Sequence, residues 1–506
     1  MEVPLGCLSF VSDIKTKTMK TQMLKTQSLQ VIIKSIKPFW FLLAGILTMT
    51  ASHFSFNMDV LGWLAMVPFL IYLTITKGWK SRVLFAVTLI VAWSVVVSKI
   101  ITHPVPYFVI PLYAIPIGLF HLPGYLLYAK FRHLKWSGLI FPACMVVSEW
   151  IQYTFTPFGS WGVAAYTQAN SLAILQSLSL FGLAGLSFLI YWTNASLAKA
   201  VVEGKWSLSC TVPLIFVASL LVFGSSRYDL AKSKGTETKT LAAVGTDSEI
   251  SGLPLPSRKS NEEVIQAIFI RTSKAAEYGA ELVVWNEAAF FLEADNEDQW
   301  LDSISRLSQK LQVSIVAGYV VPISESPFQY ENKFQFFNPD GSIEFEYFKH
   351  QPVAGEPAVK GVGPSRTKNV AGSNIGGAIC YDYDFPYLAK RNQEAGADIV
   401  ALPSSDWRGI DPLHSKMAAF RAIEQGHSIL RSTRFGLSAA ITPYGEMSAQ
   451  MSSFDHNDKI MMAHLPAKSI RTLYSLVGDL IIFLSIAYLM LMLVVVVFHK
   501  NQKIIH

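Results

Sequence analysis

The chain has 506 residues, room for two or more domains, of which 51% are hydrophobic and only 15% charged, and its mean hydropathy is +0.35. Soluble domains carry about 25% charged residues, so composition speaks against a wholly soluble protein and about half of the chain reads as membrane protein. The net charge of +6 is modest for a nucleic-acid binder, and its lysines and arginines gather beside apolar segments, as topology signals do.

Residues 1–37 are polar and basic, with Lys15, Lys17, Lys20, Lys25, Lys34 and Lys37. They lack the apolar core and small-residue cleavage site of a signal peptide and read as a cytoplasmic extension, with Met19 and Met23 as alternative starts. Residues 38–226 read as a transmembrane bundle. Its seven apolar segments lie near 39–54, 58–76, 83–103, 105–129, 137–156, 172–198 and 207–224, and most approach the ~20 residues that cross a bilayer as a helix. The first is short and holds His53. The fourth, between Pro104 and Pro123, is expected to kink.

With the N-terminus inside, the loops after the second, fourth and sixth segments carry Lys77, Lys80 and Arg82, then Lys130, Arg132 and Lys135, then Lys199 and Lys205. The opposite loops near 55–58 and 157–171 carry neither Lys nor Arg, and the one near 104 has only Lys99 beside it. This alternation follows the positive-inside rule and puts everything beyond about Arg227 outside.

Residues 227–470 change character: charges return, and hydrophobic runs shorten to strand length between Gly and Pro turns. Leu282–Trp285, Ser314–Ala317, Ile375–Cys380 and Asp398–Leu402 read as buried strands, with helices at Asn261–Tyr278, Asp298–Leu311 and Leu413–Gly426. Such alternation indicates a layered α/β domain. Residues 471–498 hold a further apolar run, Leu473–Phe498, interrupted by Asp479. It reads as an eighth crossing that returns a basic tail, 499–506, to the cytoplasm.

Cys144 and Cys210 sit in apolar runs as packing residues, and Cys7 lies in the extension. No CxxC or Cys/His spacing suggests a metal, and no dissociable cofactor is expected. Cys380 is the one cysteine of the polar half. It ends a hydrophobic strand, as Glu287 follows Leu282–Trp285 and Lys349 ends an aromatic-rich run from Gly341. Alone, each has a bland reading: a solvated cap, a surface lysine, a small buried hydrophobe. Together at three strand ends they match what thiol chemistry requires, a base for the thiol and a cation for the anions that follow.

The contexts of these residues carry a resemblance. Trp285-Asn-Glu287, Tyr347-Phe-Lys349 and Ile379-Cys-Tyr-Asp-Tyr-Asp-Phe-Pro386 resemble the Glu, Lys and Cys motifs of the nitrilase superfamily, whose fold is an αββα sandwich. Gly396 to Trp407, Arg421-Ala-Ile-Glu424 through Arg431, and Gly436 to Gly445 resemble its later motifs. A polytopic bundle, an outer nitrilase-like domain and a last helix together resemble the apolipoprotein N-acyltransferase branch, from about residue 38 onward. Gly62 to Phe69, Glu149, Trp161 to Gln168 and Phe181 to Ser187 agree locally.

The resemblance implies a thioester on Cys380, with Glu287 as base and Lys349 and the Tyr381 backbone N–H facing the oxyanion. Glu356, Asp382 and Trp407 are implied as supporting or substrate-binding residues. The implied partners are a phospholipid acyl donor, a diacylated apolipoprotein acceptor and the lipid bilayer. A monomer is expected, in the inner membrane of a bacterium, with both termini cytoplasmic and the catalytic domain periplasmic. The chain departs from the family pattern in a Lys349–Glu356 segment one residue shorter, in Asp382 where Glu is common, in Phe158-Gly-Ser-Trp161, and near Ala243–Asp247.

Phe290, Phe291, Phe345, Tyr347 and Phe385 read either as an acyl channel or, taken singly, as core. Two other functions stay open: a membrane-tethered amidase with the same three residues, and a receptor or transporter with an inactive outer domain. Few intramembrane charges, Glu149 chief among them, speak against the last.

Overall fold

A computed structural model describes residues 35–134, 137–233, 235–250 and 255–502. Most of the basic N-terminal extension with Cys7, Lys135 and the tail from Lys503 lie outside the described residues. The helical part begins with α1 (Pro38–Ser52), a short α2 (Asp59–Gly62) and α3 (Val67–Ile75). It continues through α4 (Trp79–Ser98), α5 (Val109–Phe131), α6 (Ile140–Phe155), a single turn α7 (Leu172–Leu175), α8 (Leu178–Glu203) and α9 (Leu208–Ser233).

Among the described residues, five helices are long and apolar enough to cross a membrane: α4, α5, α8, α9 and Leu480–Val497 near the C-terminus. Helix α4 shows why. Val83, Val87, Val91 and Val95 recur every fourth residue and are all exposed, while Phe85, Leu89, Ala92, Trp93 and Val96 on the other side are buried. A row of four exposed valines costs little against lipid and much against water.

The fourth segment keeps Pro116 and Pro123 inside one helix, α5. Two other apolar segments depart from their expected outlines. The sixth breaks at Gly182, whose φ of 62° is left-handed, where one continuous helix was expected. The C-terminal run divides into α14 (Leu473–Val477) and α15 (Leu480–Gln502) at Gly478 and Asp479, because Gly478 also turns left-handed, at φ 58°.

Among its described residues the α/β part contains twelve strands: β1 (Thr238–Val244), β2 (Leu282–Trp285), β3 (Ser314–Glu325), β4 (Phe328–Phe337), β5 (Ile343–Phe348), β6 (Lys368–Val370), β7 (Ser373–Gly377), β8 (Ile399–Ser405), β9 (Ser428–Arg434), β10 (Leu437–Ile441), β11 (Met447–Ser452) and β12 (Ile460–Pro466). They form two six-stranded sheets, ordered β12-β1-β2-β3-β4-β5 and β11-β10-β9-β8-β7-β6. β1, β2 and β3 run parallel, as do β7, β8 and β9.

The period of two along a strand assigns each face. Leu241 and Ala243 pack inward with Val284, Ile399 and Leu430 between the sheets. Ala242 and Val244 pack outward against Ile265, Ile268 and Ile304 of the covering helices α10 (Arg258–Glu277) and α11 (Glu297–Leu311). The second sheet is covered by α12 (Pro386–Glu394) and α13 (Leu413–Gln425). The result is the expected αββα sandwich.

Helix α13 is buried on two sides and joins the two halves. Ala418, Ala419 and Ala422 face the sandwich core, while Met417, Phe420 and Ile423 enter the core of the helical bundle. Phe420 meets Tyr166 at 4.7 Å between ring centroids. Where Gly182 interrupts α8, the freed Leu183 N–H donates to Glu424 Oε1 at 2.7 Å. A side chain of the sandwich thus satisfies a backbone donor of the bundle. Burial pushes the Glu424 carboxyl up to about 7, and Arg421, 2.9 Å away, limits the rise.

A Cβ at Gly182 would stand 2.3 Å from the Tyr474 ring on a backbone that L residues rarely adopt. Gly182→Ala should therefore destabilise the fold by roughly 1–3 kcal/mol, read as a lower Tm of the detergent-solubilised protein. An unchanged Tm would refute this account of the break.

Candidate active site

Three strand ends converge. Glu287 follows β2, Lys349 follows β5, and Cys380 follows β7 at the start of a short 3₁₀ turn, Cys380–Asp384. All three side chains are buried. Lys349 Nζ donates to Glu287 Oε1 at 2.7 Å and to Glu356 Oε2 at 2.7 Å. Asn332, on β4, links the two carboxylates: its Nδ2 donates to Glu287 Oε1 at 2.8 Å and to Glu356 Oε1 at 2.9 Å. Glu356 also accepts from the Val353 N–H at 2.8 Å, so the shortened loop still brings this carboxylate to the lysine. Asn332 had no signal in the sequence, since an Asn inside a strand looks like any polar edge residue.

Cys380 has φ 47°, a left-handed value costly for a non-glycine residue. That backbone turns the thiol out of the strand direction, and its S–H donates to the Ser405 carbonyl at 3.4 Å. Burial pushes the thiol well above its ordinary pKa; the Glu287 charge adds to the rise, and Lys349 opposes it. Burial alone would lower the Lys349 ammonium, but Glu287 and Glu356 more than reverse this and hold it well above the usual lysine value. The resting site therefore pairs a protonated thiol with a charged lysine.

The other sequence candidates fall in different places. Asp382 lies beneath the nucleophile turn. Its carboxylate accepts from Tyr347 Oη at 2.8 Å, the Gln351 N–H at 2.7 Å and the Ile379 N–H at 3.1 Å, tying that turn to the lysine strand. Its pKa is raised to about 6 by burial. Tyr381 points away from the thiol and donates from Oη to the Pro157 carbonyl at 2.9 Å. Trp407 likewise donates from Nε1 to the Ile100 carbonyl at 2.7 Å. Both side chains are docking contacts with the helical part. The five aromatics split among separate cores. Phe345 and Tyr347 lie between the sheets, Phe290 and Phe291 lie on the outer face, and Phe385 lies against the bundle. They are buried core residues of separate clusters.

A second buried cluster, absent from the sequence reading, flanks the thiol. His414 sits between Asp406 (Nδ1 to Oδ1, 2.7 Å) and Asp384 (Nε2 to Oδ1, 3.2 Å). Arg431 donates to both Asp406 oxygens, at 2.8 and 3.0 Å. Trp161 Nε1 of the bundle donates to Asp384 Oδ2 at 2.7 Å. Burial pulls His414 down, but Asp384 and Asp406 outweigh it and lift the imidazolium to about 9. Burial would raise Asp406, yet Arg431 and His414 hold it well below the carboxylate range. The Cys380, Asp406 and His414 ligand atoms lie within 4.8 Å of one another. They suit a cation poorly, because a guanidinium already occupies both Asp406 oxygens and the imidazole is paired on both nitrogens.

The carbon-nitrogen hydrolase family profile matches residues 240–474, and that of the apolipoprotein N-acyltransferase N-terminal domain matches residues 44–196. Among similar proteins, the apolipoprotein N-acyltransferase of Shewanella oneidensis is 23% identical, covering 69% of this chain and 71% of that protein. That of Bradyrhizobium diazoefficiens is 26% identical over 72% of this chain and 76% of its own. Among solved structures, an amidase from Nesterenkonia sp. is 18% identical, covering 46% of this chain and 92% of that one, with a TM-score of 0.39. With the two profiles in this order, and relatives spanning both, the chain belongs to the apolipoprotein N-acyltransferase family.

Proposed function

We propose that this chain is an acyltransferase that moves an acyl chain from a membrane phospholipid to the N-terminal amine of diacylglyceryl-cysteine on apolipoproteins, through a thioester on Cys380. The observation that carries this reading is a buried thiol beside a Glu–Lys pair, in a sandwich docked on an apolar helical bundle. As the Cys380 sulfur forms a bond to the ester carbonyl, Glu287 takes the thiol proton. A thiol held protonated at rest favours transfer in step with attack. Lys349, with the Tyr381 backbone N–H, stabilises the oxyanion. The C–O bond then breaks, and Glu287 returns the proton to the glycerol oxygen, leaving lysophospholipid and thioester. The acceptor amine next attacks the thioester and loses a proton to Glu287; the C–S bond breaks and the thiol is restored. Glu356 holds Lys349 in place throughout.

For topology, the proposal is eight crossings, with residues 38–226 as the bundle, 227–470 as a periplasmic catalytic domain, 471–498 as the last helix and both termini cytoplasmic. Its support is that sandwich and bundle meet at loops poor in Lys and Arg, through Ile100, Pro157, Ser160 and Asn170. The basic loops gather elsewhere: Arg82 donates to the Leu73 carbonyl and Arg132 to the Thr74 carbonyl, at 3.2 and 3.1 Å. By the positive-inside rule that end faces the cytoplasm.

Incubation with labelled phospholipid should add an acyl mass to Cys380, and a diacylated lipopeptide should then remove it as a triacylated product. Absence of the adduct on wild type would defeat the proposal, and release of fatty acid without triacylated peptide would favour an amidase-like hydrolase. Cys380→Ala should lose the adduct with the fold intact. Glu287→Gln keeps the hydrogen-bonding shape but not the base, and acylation should slow by roughly 10²–10⁴-fold; a rate within a few-fold of wild type would remove Glu287 from this role.

His414 has a higher pKa in the fold than its ordinary 6.5. Its contribution to stability is therefore complete below about pH 6.5 and disappears as pH rises through about 9. Thermal stability should fall over that window, and His414→Gln should flatten the fall; an equal slope in the variant would show that His414 does not carry it.

A further inference from the structure

A cleft of ≈ 260 Å³ opens where the sandwich meets the bundle, lined by Lys99, Thr102, Arg408, Asp411 and Lys416 among others. Its wall is a close approach: a Cβ at Gly409 would stand 2.1 Å from the Ile100 carbonyl oxygen. None of its three cations is in an ion pair with a carboxylate among the described residues. Arg408 is exposed and stacks on the Phe454 ring at 3.7 Å. Lys416 donates to Asn170 Oδ1 at 2.5 Å. Lys99 caps the end of α1, donating to the carbonyls of Thr50, His53 and Phe54. Two buried polar atoms on this lining, Thr102 Oγ1 and Asp411 Oδ1, have no hydrogen-bond partner.

The surroundings are those of a lipid boundary. Phe56, Met58 and Val60 beside the turn after α1, and Tyr107 and Phe108 after α4, are strongly exposed, as apolar and aromatic groups at a membrane interface are. The cleft is also close to the thiol. Arg408 lies two residues beyond Asp406, and Leu413 on its lining directly precedes His414; both Asp406 and His414 have side-chain atoms within 4.8 Å of Cys380 Sγ. The cleft lining is thus joined to the surroundings of the thiol by two short stretches of chain.

Resting on the transferase reading above, we propose that this cleft binds the phosphodiester headgroup of the acyl donor. Arg408 and Lys416 contact the phosphate, Lys99 adds to the field from the bundle side, and Thr102 and Asp411 meet the polar substituent beyond it. The headgroup thereby fixes which ester carbonyl reaches Cys380. An uncharged lipid would leave this charge unanswered.

The test compares two donors in the same detergent micelles, phosphatidylglycerol and diacylglycerol, by the rate of acyl addition to Cys380. The phospholipid-to-diacylglycerol rate ratio should fall about tenfold or more in Arg408→Gln/Lys416→Gln, with Arg408→Gln alone as the milder variant should the pair unfold. An unchanged ratio, or equal slowing with both donors, would overturn the headgroup site. A second readout uses Cys380→Ala protein and binding of short-chain phosphatidylglycerol, short-chain diacylglycerol and inorganic phosphate. The phospholipid should bind tighter than either, and the difference should vanish on adding the double substitution; phosphate binding as tightly as the lipid would instead mark a free-phosphate site. If wild type gains no acyl group while that binding difference persists, the transferase reading fails and the headgroup site stands.

Discussion

The Lys349 ammonium, buried between two carboxylates, constrains the sandwich more than any other interaction. Moving an ammonium out of water costs several kcal/mol even after relaxation. Two carboxylate contacts of 2.7 Å, with Asn332 tying both acids together, offset that cost. The arrangement needs β2, β4 and β5 in one register, because a one-residue slip of β4 would turn Asn332 to the opposite face. Loss of Lys349 would leave two buried carboxylates unanswered, which is far more damaging than never having had the cluster. The sheet and the site are for this reason a single structural problem.

The same reasoning applies on the other side of the thiol. Asp384, Asp406, Arg431 and protonated His414 sum to zero charge, so the cluster can be wholly buried without a counter-ion. Cys380 stands between this balanced set and the Lys349 pair. A thiolate there would add an uncompensated charge, so burial keeps the sulfur protonated and weakly nucleophilic until a proton acceptor and an electrophile act together. Under the thioester chemistry proposed for this site, low reactivity at rest is an advantage.

Much of this was legible in the sequence for local reasons. Alternation along β1 declared its two faces, and long apolar runs declared the helices of the bundle. Cys380 stood out as the one cysteine of the polar half and the end of a hydrophobic run, whereas Glu287 and Lys349 rested more on motif resemblance. Glu356 was found through a motif and reaches Lys349 despite the shorter loop. What escaped was long-range or directional. Trp161 and Asp384 are 223 residues apart, and no spacing joins them. His414 lies on a helix and Asp406 just past a strand, so their meeting depends on how α13 packs. Tyr381 and Trp407 are near the chemistry in sequence, but proximity gives no direction, and both side chains turn to the bundle. The break at Gly182 was hidden because glycine is common in apolar helices, and only its partner Glu424 reveals the need for it.

These directional contacts explain how the strained nucleophile turn is kept. The positive φ of Cys380 costs on the order of 1–3 kcal/mol, and the five-residue turn that carries it is too short to supply that by itself. Its far end is fastened instead. The Asp384 carbonyl accepts from the Ser160 N–H at 3.0 Å and from Ser160 Oγ at 2.7 Å. The Asp384 carboxylate accepts from Trp161, and Tyr381 donates to Pro157. All of these partners belong to the loop between α6 and α7. The bundle is thus more than an anchor: it holds the backbone geometry on which the thiol depends. In this fold the nucleophile turn is one of the contacts, with helix α13 and Trp407, that fasten the sandwich to the bundle, so a shift of the loop between α6 and α7 would reach the backbone that carries Cys380.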